Sequence, residues 1–161
     1  MIGYERLAAF GPPLPDLRAV QTSPPHGPDG VLVRLDQRSA YLSTVVTVDG
    51  RPAIEVQEEW GPYWVVTAWN PSSEPLTRVE NAGRHAELVA RLEADGLAWL
   101  PAVGSSPDGQ WAEESVAIGG IDRETALALG RAFDQHAVFE VADELLRVHA
   151  CFADWTDERP L

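Results

Sequence analysis

The residues best suited to chemistry sit on one alternating segment. Over Trp111 to Ile118, Ala112, Val116 and Ile118 fall on one face, and Trp111, Glu113 and Ser115 fall on the other, because strand side chains alternate with period two. Glu114 interrupts the apolar row. Thr67 points from a neighbouring strand, and Gln135 or His136 arrives from the end of a helix. Together these residues would line a polar groove on a sheet, where a buried glutamate has a raised pKa and serves as a general base. A structural reading competes with this one. In it Glu113 pairs with an arginine or caps the Asn70-Pro71 turn, and Ser115 bonds to backbone.

Other combinations fall short on spacing. His149 and Cys151 face one way on a strand with Asp154 nearby, but no third and fourth ligand is supplied for a metal. Ser105 or Ser106 could join His136 and Asp108, yet there is no G-x-S-x-G elbow, and 104–109 has the composition of a turn. His85, beside Arg84 on a helix, reads as solvated. The sequence has six tryptophans. Trp60, Trp64 and Trp69 surround one central strand, and Trp99 and Trp111 flank the next loop. An aromatic groove beside Glu113 would suit a small ligand or an extended peptide, and ordinary core packing would use the same residues.

Composition narrows the classes. The chain has 161 residues, with 12 basic and 25 acidic side chains and a net charge of −13. A body so acidic repels a polyanion, which excludes a nucleic-acid binder held by phosphate contacts. All the basic residues are arginine. Without lysine there is no P-loop lysine, no Schiff base, no pyridoxal phosphate attachment and no Ser-Lys pair. No G-x-G-x-x-G dinucleotide fingerprint appears either, and no cofactor is expected. The lysine-free, Ala/Gly/Pro/Arg-rich usage suggests a high-GC bacterial source. One cysteine allows no internal disulfide. The N-terminus lacks a signal-peptide pattern, and no apolar run spans a bilayer, so a cytoplasmic protein with no membrane contact is expected.

The elements that must hold the groove follow from local pattern. Glu5 to Phe10 reads as a short helix, and Gly11 to Gly30, with six prolines, as an irregular arm. The division is thus 1–30 for helix and arm, and 31–161 for one domain. Val31 to Asp36 and Tyr41 to Val48 read as strands, and Asp49-Gly50 turns the second into a hairpin with Arg51 to Val56. The acidic positions Glu55, Glu58 and Glu59 would be a solvated edge. Tyr63 to Trp69 is a strand covered on both faces, ended by Asn70-Pro71. Thr77 and Glu80 have capping-box spacing ahead of a helix whose apolar face is Val79, Ala82, Ala86, Val89 and Leu92. Leu97 to Val103 and Trp111 to Ile118 are strands. Asp122 caps a helix over Arg123 to Asp134, with Ala126, Leu129 and Phe133 inward. Ala137 to Val141 and Leu145 to Ala150 form a closing hairpin. From Tyr63 the order is β-α-β-β-α-β plus a strand. That order implies an α+β domain with an antiparallel or mixed sheet and two helices on one face, ferredoxin-like or related, with an N-terminal hairpin and a Pro-rich arm.

Four segments are distinctive in order and spacing: Val66-Thr67-Ala68-Trp69-Asn70-Pro71; Asn81 with the helix after it; Trp111-Ala112-Glu113-Glu114-Ser115; and Phe133-Asp134-Gln135-His136-Ala137-Val138-Phe139. Over roughly Arg38 to Val141 they resemble a bacterial family of small proteins catalogued as domain of unknown function 3293. His136 departs from the family's pattern. The resemblance implies a single domain and marks Thr67, Asn70, Asn81, Glu113, Ser115 and Gln135 as positions to examine, with no role attached. The combined expectation has Glu113 and Ser115 as catalytic candidates. The ligand-binding candidates are Thr67, Trp69, Asn70, Asn81, Gln135 and His136. The favoured function is a module that binds a protein or small-molecule partner, and the alternative is a metal-independent enzyme with Glu113 as base.

Overall fold

The computed structural model describes residues 30–161, with side chains from Gln37 onward. The helix expected over 5–10 and the arm before residue 30 lie outside them. The described chain runs α1 (Gly30–Ser43), β1 (Val45–Val48), β2 (Arg51–Pro52), α2 (Ala53–Trp60), β3 (Tyr63–Thr67), a 3-10 turn (Pro71–Ser73) and α3 (Arg78–Ala94). It continues with β4 (Trp99–Ser105), β5 (Ala112–Gly119), α4 (Arg123–Ala132), β6 (Ala137–Ala142), β7 (Leu145–Ala150) and β8 (Thr156–Pro160). This is a single α+β domain. Its eight strands form one antiparallel sheet in the order β2-β1-β4-β5-β3-β6-β7-β8.

β3 lies between β5 and β6 and is covered on both faces, as its unbroken apolar run requires. Trp64 and Val66 enter a core with Leu88 and Leu92 of α3 and Ala126, Leu127, Leu129 and Phe133 at α4. Tyr63 and Val65 enter a second core with Val46, Ala53, Val56, Ala117 and Leu146. The caps form as the sequence requires. Thr77 and Glu80 close a reciprocal capping box on α3, and Asp122 accepts from the Thr125 amide at the start of α4. Asp49-Gly50 and Asp143-Glu144 both have positive φ at two successive residues, the geometry of tight hairpin turns.

Several elements differ from the sequence expectation. Val31 to Asp36 and Tyr41 to Ser43 belong to helix α1, and the strand begins only at Val45. The second hairpin arm is just Arg51–Pro52, after which Ala53 to Trp60 is helix α2. Ala53 and Val56 are buried there, with Trp60 packed beside them. This i, i+3, i+7 spacing is helical, and it outweighs the β-branched Ile54 and Val56. Glu55, Glu58 and Glu59 are therefore exposed on a helix, not on a strand edge. The described residues thus hold four helices where two were expected. On α3 the buried face is Asn81, His85, Leu88 and Leu92, whereas Val79 is 83% exposed. The helix turns Asn81 inward because that side chain has a buried polar partner. His85 is consequently buried, not solvated.

A polar cleft on the sheet

Along β5, β3 and β6 one face of the sheet changes from apolar to polar. Val65 lies opposite Ala117 and Phe139, and one pleat further on Thr67 lies opposite Ser115. Beyond that, Glu113 and Gln135 continue the same face, and a cavity of about 40 Å³ opens among these side chains. Gly104, directly across from Glu113 on β4, has no side chain to fill it. Tyr41 and Thr44, at the end of α1, close one side, and the Tyr41 and Phe139 rings meet edge to face with centroids 6.5 Å apart. Trp111 and Ala137 complete the lining.

Glu113 is held from outside the cavity. Its Oε1 accepts from Asn70 Nδ2 at 2.8 Å. Asn70 takes a left-handed conformation, φ 46°, as the chain leaves β3. Its amide N–H donates to Asn81 Oδ1 at 2.9 Å, and Asn81 Nδ2 donates back to Asn70 Oδ1 at 2.9 Å. Leu76 N–H also donates to Asn70 Oδ1. Both asparagines are buried with their amides matched, as buried amides require. Burial pushes the Glu113 carboxyl up from 4.5 to about 7, and the Asn70 bond opposes part of that rise. Glu113 Oε2 has no partner among the described residues.

Gln135 is positioned by main chain. Its Nε2 donates to Trp69 O at 2.9 Å and to Phe133 O at 3.2 Å. Arg84 ties the same segments, donating to Ala68 O and Phe133 O. Thr67 Oγ1 donates to Glu114 O at 2.7 Å and accepts from Trp69 N–H, which fixes where β3 ends. Glu114 faces the other side of β5 with one carboxylate oxygen buried and unpartnered among the described residues. Burial raises its pKa against the pull of Arg78.

Of the residues singled out in the sequence, the fold gathers Thr67, Glu113, Ser115 and Gln135 around one cavity. The other four stand apart from it. Trp69 is buried, with its indole N–H unpartnered among the described residues. Asn70 and Asn81 act through Glu113 and one another. His136 Nδ1 lies 3.0 Å from Gln37 Nε2, which also donates to Tyr41 Oη and Ser73 Oγ. The Ser106 hydroxyl goes to Asp108 at 2.6 Å, within its own turn. His149 Nε2 lies 2.7 Å from Glu140 Oε2 and its Nδ1 3.1 Å from Thr156 Oγ1, while Cys151 is buried. Among the described residues no group of three or more His, Cys, Asp or Glu is arranged to hold a metal ion. Tyr41 and Thr44 were missed because their segment reads as strand. The helical signal was Gln37 and Tyr41, four apart, which are hydrogen-bonded.

Residues 66–138 match the family model described as protein of unknown function (DUF3293). That is the family the sequence motifs resemble. The DUF3293 match begins in β3 and ends in β6, so it takes in Thr67, the Asn70–Asn81 pair, Glu113, Ser115 and Gln135. Tyr41 and Thr44, which close the cleft, lie before it. No curated protein and no solved structure matches the chain. Among the described residues no helix is long and apolar enough to cross a membrane.

Proposed function

We propose that this protein is a ligand-binding module whose cleft receives a small polar group, presented by a small molecule or by a protein partner. The observation that carries the reading is the Glu113 carboxyl, which faces the cavity with Oε2 unpartnered while Asn70 holds Oε1. A half-buried carboxyl with one oxygen left open beside a cavity is a recognition element waiting for a partner. The volume of about 40 Å³ sets the scale. One water occupies ~10–15 Å³ by the same measure, so the cleft admits a head group of few heavy atoms rather than a whole metabolite. A net charge of −13 disfavours nucleic acid as that partner.

The core β3-α3-β4-β5-α4-β6 is, in this reading, ferredoxin-like. The strand order β4-β5-β3-β6 with antiparallel pairing supports it. The cleft would then lie on the sheet face opposite α3 and α4.

A second reading, a metal-independent enzyme with Glu113 as general base, draws on the same carboxyl. A pKa of about 7 is suited to taking a proton at neutral pH. The test for binding is an NMR amide-shift survey with small cationic, neutral and anionic probes. Binding at the cleft moves Thr67, Glu113, Ser115 and Gln135 together. Shifts that fall elsewhere, or nowhere, contradict it. Turnover of a bound probe that Glu113→Gln abolishes would select the enzyme reading.

A further inference from the structure

The floor of the cleft has an uneven hydrogen-bond balance. Thr44 Oγ1 donates to Ala40 O at 3.2 Å, Thr67 Oγ1 to Glu114 O at 2.7 Å, and Ser115 Oγ to Glu113 O at 3.2 Å. A hydroxyl has one hydrogen to give, and all three are given to main-chain carbonyls. Gln135 Nε2 has two, and both go to carbonyls of Trp69 and Phe133. These four side chains and Glu113 Oε2 can still offer only lone pairs to an occupant. The polar floor therefore favours an occupant that brings hydrogens, and the donors left on the walls are Tyr41 Oη–H and Trp111 Nε1–H.

The walls point the same way. The rings of Tyr41, Trp111 and Phe139 border the cavity, and aromatic faces attract cations. The chain carries −13, and such a field concentrates cations near its surface.

We propose that the cleft is a site for an alkylammonium head group, held by the Glu113 carboxylate, the lone pairs of Thr67, Ser115 and Gln135, and the aromatic walls. This rests on the ligand-binding reading above and gives it a chemical class. A free amine and a lysine side chain share that chemistry. The volume of about 40 Å³ accepts either head.

The test is NMR titration of the full chain with methylammonium, acetamide and acetate at pH 6 and pH 8. Methylammonium should move the amides of Thr67, Glu113, Ser115 and Gln135 saturably at pH 8. It should bind about tenfold more weakly at pH 6, where a carboxyl with a pKa of about 7 is mostly protonated. Tyr41, the titratable group facing Glu113 from α1, has its pKa raised above 10.0 by burial and stays neutral throughout. Glu114 faces the other side of β5. His136, on Gln37 beside Tyr41, is the remaining titratable neighbour, and His136→Gln should keep the pH dependence.

Glu113→Gln should abolish the binding. Trp111→Leu, at a partly exposed position, should weaken it several-fold with the fold intact. Nα-acetyl-lysinamide separates the sources: tighter binding than methylammonium assigns the head group to a protein side chain, and weaker binding assigns it to a free amine. If acetamide or acetate moves the cleft amides and methylammonium does not, the cleft binds ligands but the cation assignment is overturned. Equal methylammonium affinity at pH 6 and pH 8 also overturns it. If no probe reaches the cleft, the binding reading fails as well.

Discussion

Asn70 shows how much one side chain can settle. Its left-handed backbone turns the chain out of β3, its Nδ2 holds Glu113, and its remaining polar groups are matched by Asn81 and Leu76. Glu113 is thus oriented by a neutral donor and not by a cation, so its burial is uncompensated by charge. Burial raises its pKa, so the folded protein holds that proton more tightly than the unfolded chain does. The resulting stability is complete below pH 4.5 and is lost as pH rises through about 7. That interval is worth about 3 kcal/mol at ~1.36 kcal/mol per pH unit. Glu113→Gln is neutral at every pH and can still accept from Asn70. It should match the wild type in urea unfolding at pH 4 and exceed it by up to about 3 kcal/mol at pH 8. A loss of stability at pH 8 would instead make Glu113 a structural ion-pair partner. Period-two alternation made Glu113 and Ser115 legible in the sequence, and the strand before Asn70 did the same for Thr67. Nothing local marks Asn81 as inward-facing, since its partner is eleven residues away across a loop.

At the scale of elements, α4 lies so close to the sheet that glycine is required at position 130. A Cβ there would stand 2.6 Å from Cys151 Sγ and 2.7 Å from Val138 Cγ1. Gly130→Ala gains roughly 1 kcal/mol of helix propensity but overpacks this contact. It should destabilise the protein by about 1–3 kcal/mol, measured by urea unfolding; a stabilised variant would show that α4 can move away freely. Elements with end signals were legible: the Thr77–Glu80 box, the Asp122 cap and the Asp49-Gly50 turn each specify geometry within four residues. α1 and α2 were not, because short apolar runs containing valine or isoleucine fit a strand as well as a helix. Tertiary packing decides between them. β8, Thr156-Asp157-Glu158-Arg159-Pro160, has almost no strand propensity. It pairs with β7 through main chain, with Arg147 bonded to Glu158 and Arg38 to Asp157.

Across the whole molecule the sheet curls so that its two ends approach α1 together. Arg159 of β8 donates to Leu42 O and Thr44 O, and Thr44 leads directly into β1 near the opposite end of the strand order. This closure brings Tyr41 and Thr44 over a face that β5, β3 and β6 would otherwise leave open to water. It is also why the cleft as a unit was not legible: four of its residues follow from local pattern, but its cover depends on contacts more than a hundred residues apart in sequence. The account stands on that enclosure limiting the access of water to Glu113. The most direct measurement is the pH titration of the Glu113 carboxyl by 13C NMR, assigned with Glu113→Gln. A midpoint near 7 is the predicted result. A midpoint at or below the ordinary glutamate value of ~4.3 would mean a solvated or ion-paired carboxylate, and would contradict the cleft as a recognition site.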